Sequence, residues 1–421
     1  MVKKIISLAK KYPQLFESFF SLSILNGLSF LLPLITLPYI LRVIGPEKFG
    51  IYSFVLVVIQ YVSLFSNYGF NFSATRFIAE NRESKDIVMR NFSSIIFIRL
   101  FIAILGIILL FIFCIYIQIF SKEKISYLFA LGIILGDVFI PVWFFQGIEK
   151  MRYLTIVNLL PKLIFTILIF FFIKKPEDYR LILLLNSLGY VFAAFLSMFI
   201  IKYRFGISFT IPRYSDIYFQ LVDGWHIFVS TISMNLYRNA NIFILGLFTN
   251  NYIVGIYSSS EKIIKAMQSL VSPISESLFP FLSHKFSKQT KEQSFHNIYN
   301  ISKIYFIGLS FITFFVLITS NKIIKYIFSN QYIDSISSLR ILSFVILFGG
   351  MNYLLGIIGL INMGQKKSFT NYVMIAGFIN IITTIISVPY YNYIGASIGM
   401  LLSEIVLFTL CVRKLLLLNN K

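Results

Sequence analysis

The residues that could do chemistry in this sequence are ionisable side chains set inside apolar runs. Arg99, Asp137, Lys162, Asp223, Arg238, Glu261, Lys262, Lys265 and Glu404 all interrupt long hydrophobic stretches. A charge at the centre of a bilayer costs about 2.5 to 3.5 kcal/mol on insertion scales, so such residues normally face a bundle interior or water. Arg238 lies near the middle of its run, on a helical face shared with Ser230, Ser233, Tyr237 and Asn241, and that pattern implies a hydrated cavity. Glu261 and Lys265 stand four apart in the order that favours pairing, which leaves Lys262 and Arg238 without a local partner. For Arg99, Lys162, Asp223, Lys303 and Glu404 the plainer reading is preferred: helix-end snorkelling to headgroups or pairing that only holds helices together.

Neutral polar residues extend this pattern. Ser53, Gln60, Ser63 and Asn67 recur at helical spacing, and Ser258, Lys265, Gln268 and Ser272 do the same about 205 residues later. The tetrapeptide GIYS opens both stretches, at 50–53 and 255–258, which suggests an internal repeat. An earlier stretch adds Ser23, Asn26 and Thr36, interrupted by Pro33 and Pro38. The candidate substrate contacts are therefore Arg238, Lys262, Lys265, Asn26, Gln60, Asn67 and Asn241. Glu261 and Asp137 are the candidate carboxylates for ion coupling. A cavity so lined, cationic in its C-terminal half, should prefer an anion. The three histidines are scattered without ligand spacing, Cys114 and Cys411 lie in apolar runs, and no nucleophile or nucleotide motif is present. The sequence calls for no metal and no cofactor, and it does not read as an enzyme.

These residues need helices that cross a membrane. Of 421 residues 57% are hydrophobic and 13% charged, with a mean hydropathy of +0.82, beyond what a soluble domain tolerates. Twelve spans are expected near 18–40, 50–70, 91–117, 125–147, 153–173, 181–201, 219–248, 253–282, 298–319, 336–362, 369–390 and 394–416, giving an all-α membrane protein. The net charge of +20 would suggest nucleic acid in a soluble protein. Here it follows the positive-inside rule, with 21 Lys and Arg in the connections and adjoining span ends assigned to the cytoplasm against 10 outside. That bias puts both termini in the cytoplasm, and no removable signal peptide is expected. The connection at 202–218 divides the chain into six-helix lobes at 1–201 and 219–421, the parallel-repeat plan of a rocking transporter.

Four stretches resemble the lipid-linked oligosaccharide flippases of bacterial surface polysaccharide synthesis, the O-antigen transporters: PLITLPYILRVIGPEKFGIYSF (33–54), YGFNFSATRFIAENR (68–82), PVWFFQGIEKM (141–151) and DGWHIFVST (223–231). The resemblance implies the fold of the multidrug, oligosaccharidyl-lipid and polysaccharide exporter superfamily, two lobes around a shared cavity. It implies an undecaprenyl-diphosphate-linked oligosaccharide as substrate, the bacterial inner membrane as location, and membrane lipids, a polysaccharide polymerase and a chain-length regulator as partners, with no nucleic acid. Within these motifs Gly45 and Pro46 should turn the chain after the first span, and Gly69 should break the second. Arg42 and Arg76 become end-of-span residues able to bind diphosphate or headgroups, and Arg42 joins the candidate substrate contacts. Two rivals remain. A cation-coupled small-molecule exporter needs cavity carboxylates that the first two spans lack beyond Glu17. A polysaccharide polymerase needs a long outer loop, and the outer loops here are short.

Overall fold

A computed structural model describes residues 13–286, 289 and 291–419, and within them the side chains of 13–31, 33, 34, 230, 233–238, 270, 272–281, 283–285, 291 and 419 lie outside the description. Among the described residues there is no strand. Twelve helices carry the fold: α1 (Pro13–Asn67), α2 (Phe70–Asn81), α3 (Lys85–Tyr116), α4 (Lys124–Val138), α5 (Val142–Gly147), α6 (Met151–Phe172), α7 (Tyr179–Phe205), α8 (Tyr214–Phe248), α9 (Asn251–Phe286), α10 (Lys291–Lys322), α11 (Ser335–Asn352) and α12 (Lys366–Asn419). Two π-helical segments, Ile323–Phe328 and Tyr353–Ile361, continue α10 and α11.

The two longest helices each hold two spans. At 55 and 54 residues they would be about 80 Å long if straight, against a hydrocarbon layer of about 30 Å. Each is broken once, α1 at Gly45 (φ 70°, ψ 171°) and α12 at Asn392 (φ 48°, ψ −129°). The Gly45 conformation is essentially closed to residues with a side chain, so the expected turn after the first span is encoded by that glycine. A second break falls at Tyr68 and Gly69, with φ of 47° and 75°. Tyr68 is not a glycine, and its ring is held by stacking on Phe228 at 4.2 Å while its hydroxyl donates to the Leu221 carbonyl at 3.2 Å. Counting α1 and α12 twice, joining α4 with α5 and setting aside α2, whose 12 residues are too few to cross the hydrocarbon layer, gives twelve segments, consistent with the twelve spans expected.

The chain folds into two compact units: Met1–Tyr39 with Val55–Ile232, and Ile40–Phe54 with Ser233–Lys421. In the first unit the Tyr39 hydroxyl donates to the Ile173 carbonyl at 2.5 Å, and Glu123 accepts from Tyr179 and Ser126, each at 2.7 Å. Also within it, Arg76 pairs with Asp223 at 2.8 Å and Arg82 with Glu149 at 3.3 Å. In the second unit Tyr252 donates to Asp334 at 2.8 Å. Each of these contacts joins connections that an alternating twelve-span path puts on one membrane face, so the path itself is consistent with the packing.

The second unit is closed by a close crossing of two helices. Gly50 of α1 lies against the Asn251 carbonyl of α9, and Gly255 of α9 lies against the Pro46 carbonyl of α1, so that a methyl group on either glycine would overlap the facing oxygen. The relation is reciprocal: each glycine meets the carbonyl four residues before the other. Small residues permit such backbone approach between membrane helices, where Cα–H groups can contact carbonyls directly. The two copies of GIYS are therefore the two sides of one crossing, with the same offset of 205 linking Pro46 to Asn251 and Gly50 to Gly255.

Candidate functional site

The crossing fixes the side chains on either side of it. Two turns beyond Gly255, the Lys262 ammonium sits 5.6 Å from the centre of the Phe49 ring and 5.5 Å from that of Tyr52. Both rings are buried, and both flank Gly50 in sequence. Two aromatic faces stabilise a cation by about 0.5 to 2 kcal/mol each according to how dry the site is. Among the described residues no carboxylate lies within ion-pair distance of Lys262. Its neighbours are already matched, Lys265 reaching Glu261 at 3.1 Å with Glu261 nearly buried and Lys265 half exposed. A lysine that rests against ring faces, with no carboxylate paired to it among the described residues, keeps its N–H donors for an anion. Phe49 and Tyr52 were not among the candidates from sequence. The signal that could have found them is the repeated tetrapeptide itself, which contains Tyr52 and directly follows Phe49.

Asn241 is placed differently from the sequence expectation of a cavity face. Its amide donates to Tyr257 Oη at 2.9 Å and to the Ala396 carbonyl at 3.0 Å, and it accepts from Thr384 Oγ1 at 3.2 Å. It is buried and holds α8, α9 and α12 of the second unit together. The side chains of Arg238 and Asn26 lie outside the described residues.

Arg42 is also occupied by the protein. Its Nε donates to the Ile327 and Phe328 carbonyls at 2.9 and 3.1 Å, and its Nη2 to the Tyr326 carbonyl. Those carbonyls lie at the end of a π-helical segment, where a cation is favoured. Beside it Tyr332, outside the spans, is fully buried against Phe328, and burial pushes its phenol above the ordinary value.

In the first unit the α1 stripe leaves polar atoms open. Ser63 Oγ and Asn67 Oδ1, one helical turn apart, are both buried without a hydrogen-bond partner, while Gln60 is exposed. Asp137 is held by Arg99, Nη2 to Oδ2 at 2.8 Å and Nη2 to the Asp137 carbonyl at 2.9 Å. Arg99 is only 1% exposed, so removing the Asp137 charge alone would strand a guanidinium in a dry interior. The plainer reading of Arg99 and the pairing of Glu261 with Lys265 thus both match the geometry.

This architecture defines a class before it defines a family. The chain superposes on a multidrug-resistance MATE family transporter of the MOP superfamily in an inward-facing conformation, with a TM-score of 0.71 at 16% identity, covering 93% of this chain and 96% of that one. It superposes likewise on the lipid II flippase MurJ in an inward closed conformation, with a TM-score of 0.75 at 12% identity over 94% and 89% of the two chains. This chain shares the fold of those two proteins. Residues 15–286, more than half of the chain, match the polysaccharide biosynthesis protein family, and the chain belongs to that family. Two relatives are named for O-antigen transport. One, from Escherichia coli (strain K12), is 26% identical over 400 residues, 95% of this chain and 96% of its own length. The other, from Shigella dysenteriae, is 27% identical over 404 residues, 92% and 97% of the two lengths.

Proposed function

We propose that the protein is a flippase that moves undecaprenyl-diphosphate-linked oligosaccharide repeat units from the cytoplasmic to the periplasmic face of the bacterial inner membrane. The observation that carries this reading is Lys262, a cation held by Phe49 and Tyr52 and left available to a diphosphate. The names of the two relatives, and that of the lipid II flippase sharing the fold, point to the same kind of cargo. In this reading the lobes at 1–201 and 219–421 rock about the cargo, the sugars are met by amides and hydroxyls such as Gln60, Ser63 and Asn67, and the polyprenyl tail stays in lipid. The carboxylates that a drug-cation exporter would need at Asp137 and Glu261 are instead ion-paired to Arg99 and Lys265. No bond is made or broken in the cycle, so no catalytic residue is assigned, and the polymerase and chain-length regulator are downstream partners.

The direction depends on orientation, which the basic-residue bias sets with both termini inside. Single-cysteine labelling in intact cells is expected to find positions 84 and 290 shielded from an impermeant reagent outside and position 177 accessible. Labelling of position 84 from outside would reverse the topology.

The charge of the cargo sets the energetics. Each elementary charge moved through the membrane field is worth about 2.3 kcal/mol per 100 mV, so two negative charges leaving an inside-negative cell gain roughly 4 to 5 kcal/mol. Reconstituted vesicles given a potassium-diffusion potential with valinomycin should therefore shift labelled lipid-linked oligosaccharide across the bilayer without any pH or sodium gradient, read as its exposure to an external glycosidase. The same rate and distribution under both polarities would reject electrogenic flipping, and no protein-dependent movement at all would reject the flippase reading.

A further inference from the structure

On the orientation with both termini inside, the junction of α10 with α11 faces the periplasm, and it is unusually basic for that side. From 320 to 340 the chain has Lys322, Lys325 and Arg340 against Asp334 alone, and Asp334 accepts from Tyr252 at 2.8 Å. Basic residues concentrate on cytoplasmic connections, so their gathering outside asks for an anion. The protein supplies none: among the described residues no carboxylate lies within ion-pair distance of these three. Arg340 follows Ser335, which opens α11, by five residues, so it lies about 7 to 8 Å along the helix from its outer end. Its Nε donates to Ser320 Oγ at 3.1 Å and its Nη2 to Asn321 Oδ1 at 3.4 Å. Both acceptors are neutral, which fixes the guanidinium without cancelling its charge and leaves Nη1 open. Beside it, α10, α11 and α12 of the second unit enclose a groove of about 400 Å³, walled by Leu317, Ile318, Ile341, Phe344 and Leu401 with Arg340 as its one charged wall. Ile318, Phe315 and Phe311 carry the apolar surface on along one exposed face of α10, toward the middle of the span.

We propose that this groove is a binding site for one anionic phospholipid of the periplasmic leaflet, with its phosphodiester on Arg340 and one acyl chain along the apolar walls. A guanidinium presents parallel N–H donors that fit phosphate oxygens, and basic pockets between membrane spans recognise anionic headgroups. The charges match. One guanidinium reaches the groove, which suits the single charge of a phosphodiester and leaves part of the charge of a diphosphate unmet. Lys322 and Lys325, both exposed on the same connection, add a field that attracts a net anion and repels the ammonium of a zwitterionic headgroup. A lipid so seated touches three helices at once, and a ligand that binds only the folded state stabilises it. The choice of leaflet follows the orientation tested by the cysteine labelling above, whereas the binding itself rests on neither the orientation nor the flippase reading.

The test is titration of the purified, delipidated full-length protein with defined lipids, read by native mass spectrometry. Phosphatidylglycerol is expected to bind about fivefold or more tightly than phosphatidylethanolamine with the same acyl chains. Arg340→Ala should remove most of that preference, and replacing Lys322 and Lys325 together by Ala should lower it by a smaller factor. Leu401→Trp fills the groove without altering a charge, so it should weaken the binding of both lipids. Melting temperatures in detergent alone establish that the variants fold, and phosphatidylglycerol should raise that of the wild type more than that of Arg340→Ala. Should Arg340→Ala fail to fold, Leu401→Trp and the double lysine variant decide. Equal affinity for the two phospholipids in the wild type, or wild-type binding in Arg340→Ala or Leu401→Trp, would overturn the assignment. So would Arg340-dependent binding of undecaprenyl phosphate tighter than that of phosphatidylglycerol, since the groove would then belong to a polyprenyl lipid. Because no step of the assay involves transport, its failure leaves the flipping result untouched, and loss of flipping leaves the binding result untouched.

Discussion

Lys262→Glu is expected to reduce surface polysaccharide in a complemented deletion strain by at least tenfold while membrane abundance stays near wild type. The substitution turns a cation held over two rings into an anion over the same two rings, and it presents like charge to a diphosphate. The ring faces that favour an ammonium repel a carboxylate, so the loss should exceed that of Lys262→Ala, which removes attraction without adding repulsion. Lys265→Ala should be milder still, since Lys265 already spends its charge on Glu261 at 3.1 Å. Polysaccharide is read on gels of whole-cell extracts and protein by immunoblot. Full complementation by Lys262→Glu would take this lysine out of the substrate path.

The second large effect is on folding. Gly50→Val and Gly255→Val should each destabilise the protein by about 3 kcal/mol or more, because a side chain on either glycine overlaps a backbone carbonyl rather than a movable side chain, and overpacking of that kind forces helices apart. Gly308→Ala is the control. A methyl group there meets nothing within 4 Å, so its effect should be neutral or slightly stabilising by removing a helix-interior glycine. Thermal unfolding followed by size-exclusion fluorescence compares the three. Equal melting temperatures for Gly255→Val and Gly308→Ala would mean that the crossing does not hold the second unit together.

What could be read from sequence was local or periodic. Glu261 with Lys265 was legible because four residues on one helix are neighbours in any fold, and the turns at Gly45 and Gly69 were legible because backbone conformation there depends on the residue itself. The repeat of GIYS was visible, but its meaning was not: periodicity shows that two segments are alike, whereas only packing shows that they touch. The same limit hid the rings over Lys262, which come from residues more than 200 positions earlier. Helical spacing groups Asn241 with Ser230 and Ser233 on one face, while its actual partners, Tyr257, Thr384 and Ala396, lie on helices whose rotation no single-helix pattern reports. The pairing of Arg99 with Asp137 and the contact of Asn352 with Glu404 are of the same kind, each joining separate helices.

The inclusion of Ile40–Phe54 in the second unit matters for how the chain is made. Ribosomes deliver residues in order, at about 5 to 20 per second, and domains tend to fold as they emerge. Gly50 enters the membrane 205 residues ahead of Gly255, which at that pace is a wait of roughly 10 to 40 s. Throughout that interval the groove over Gly50 has only acyl chains, or a passing helix from another nascent protein, to fill it. The first half of the gene thus encodes part of a surface that only the second half can cover, and a chaperone or insertase that shelters early spans until the eighth arrives would act on that exposed glycine groove.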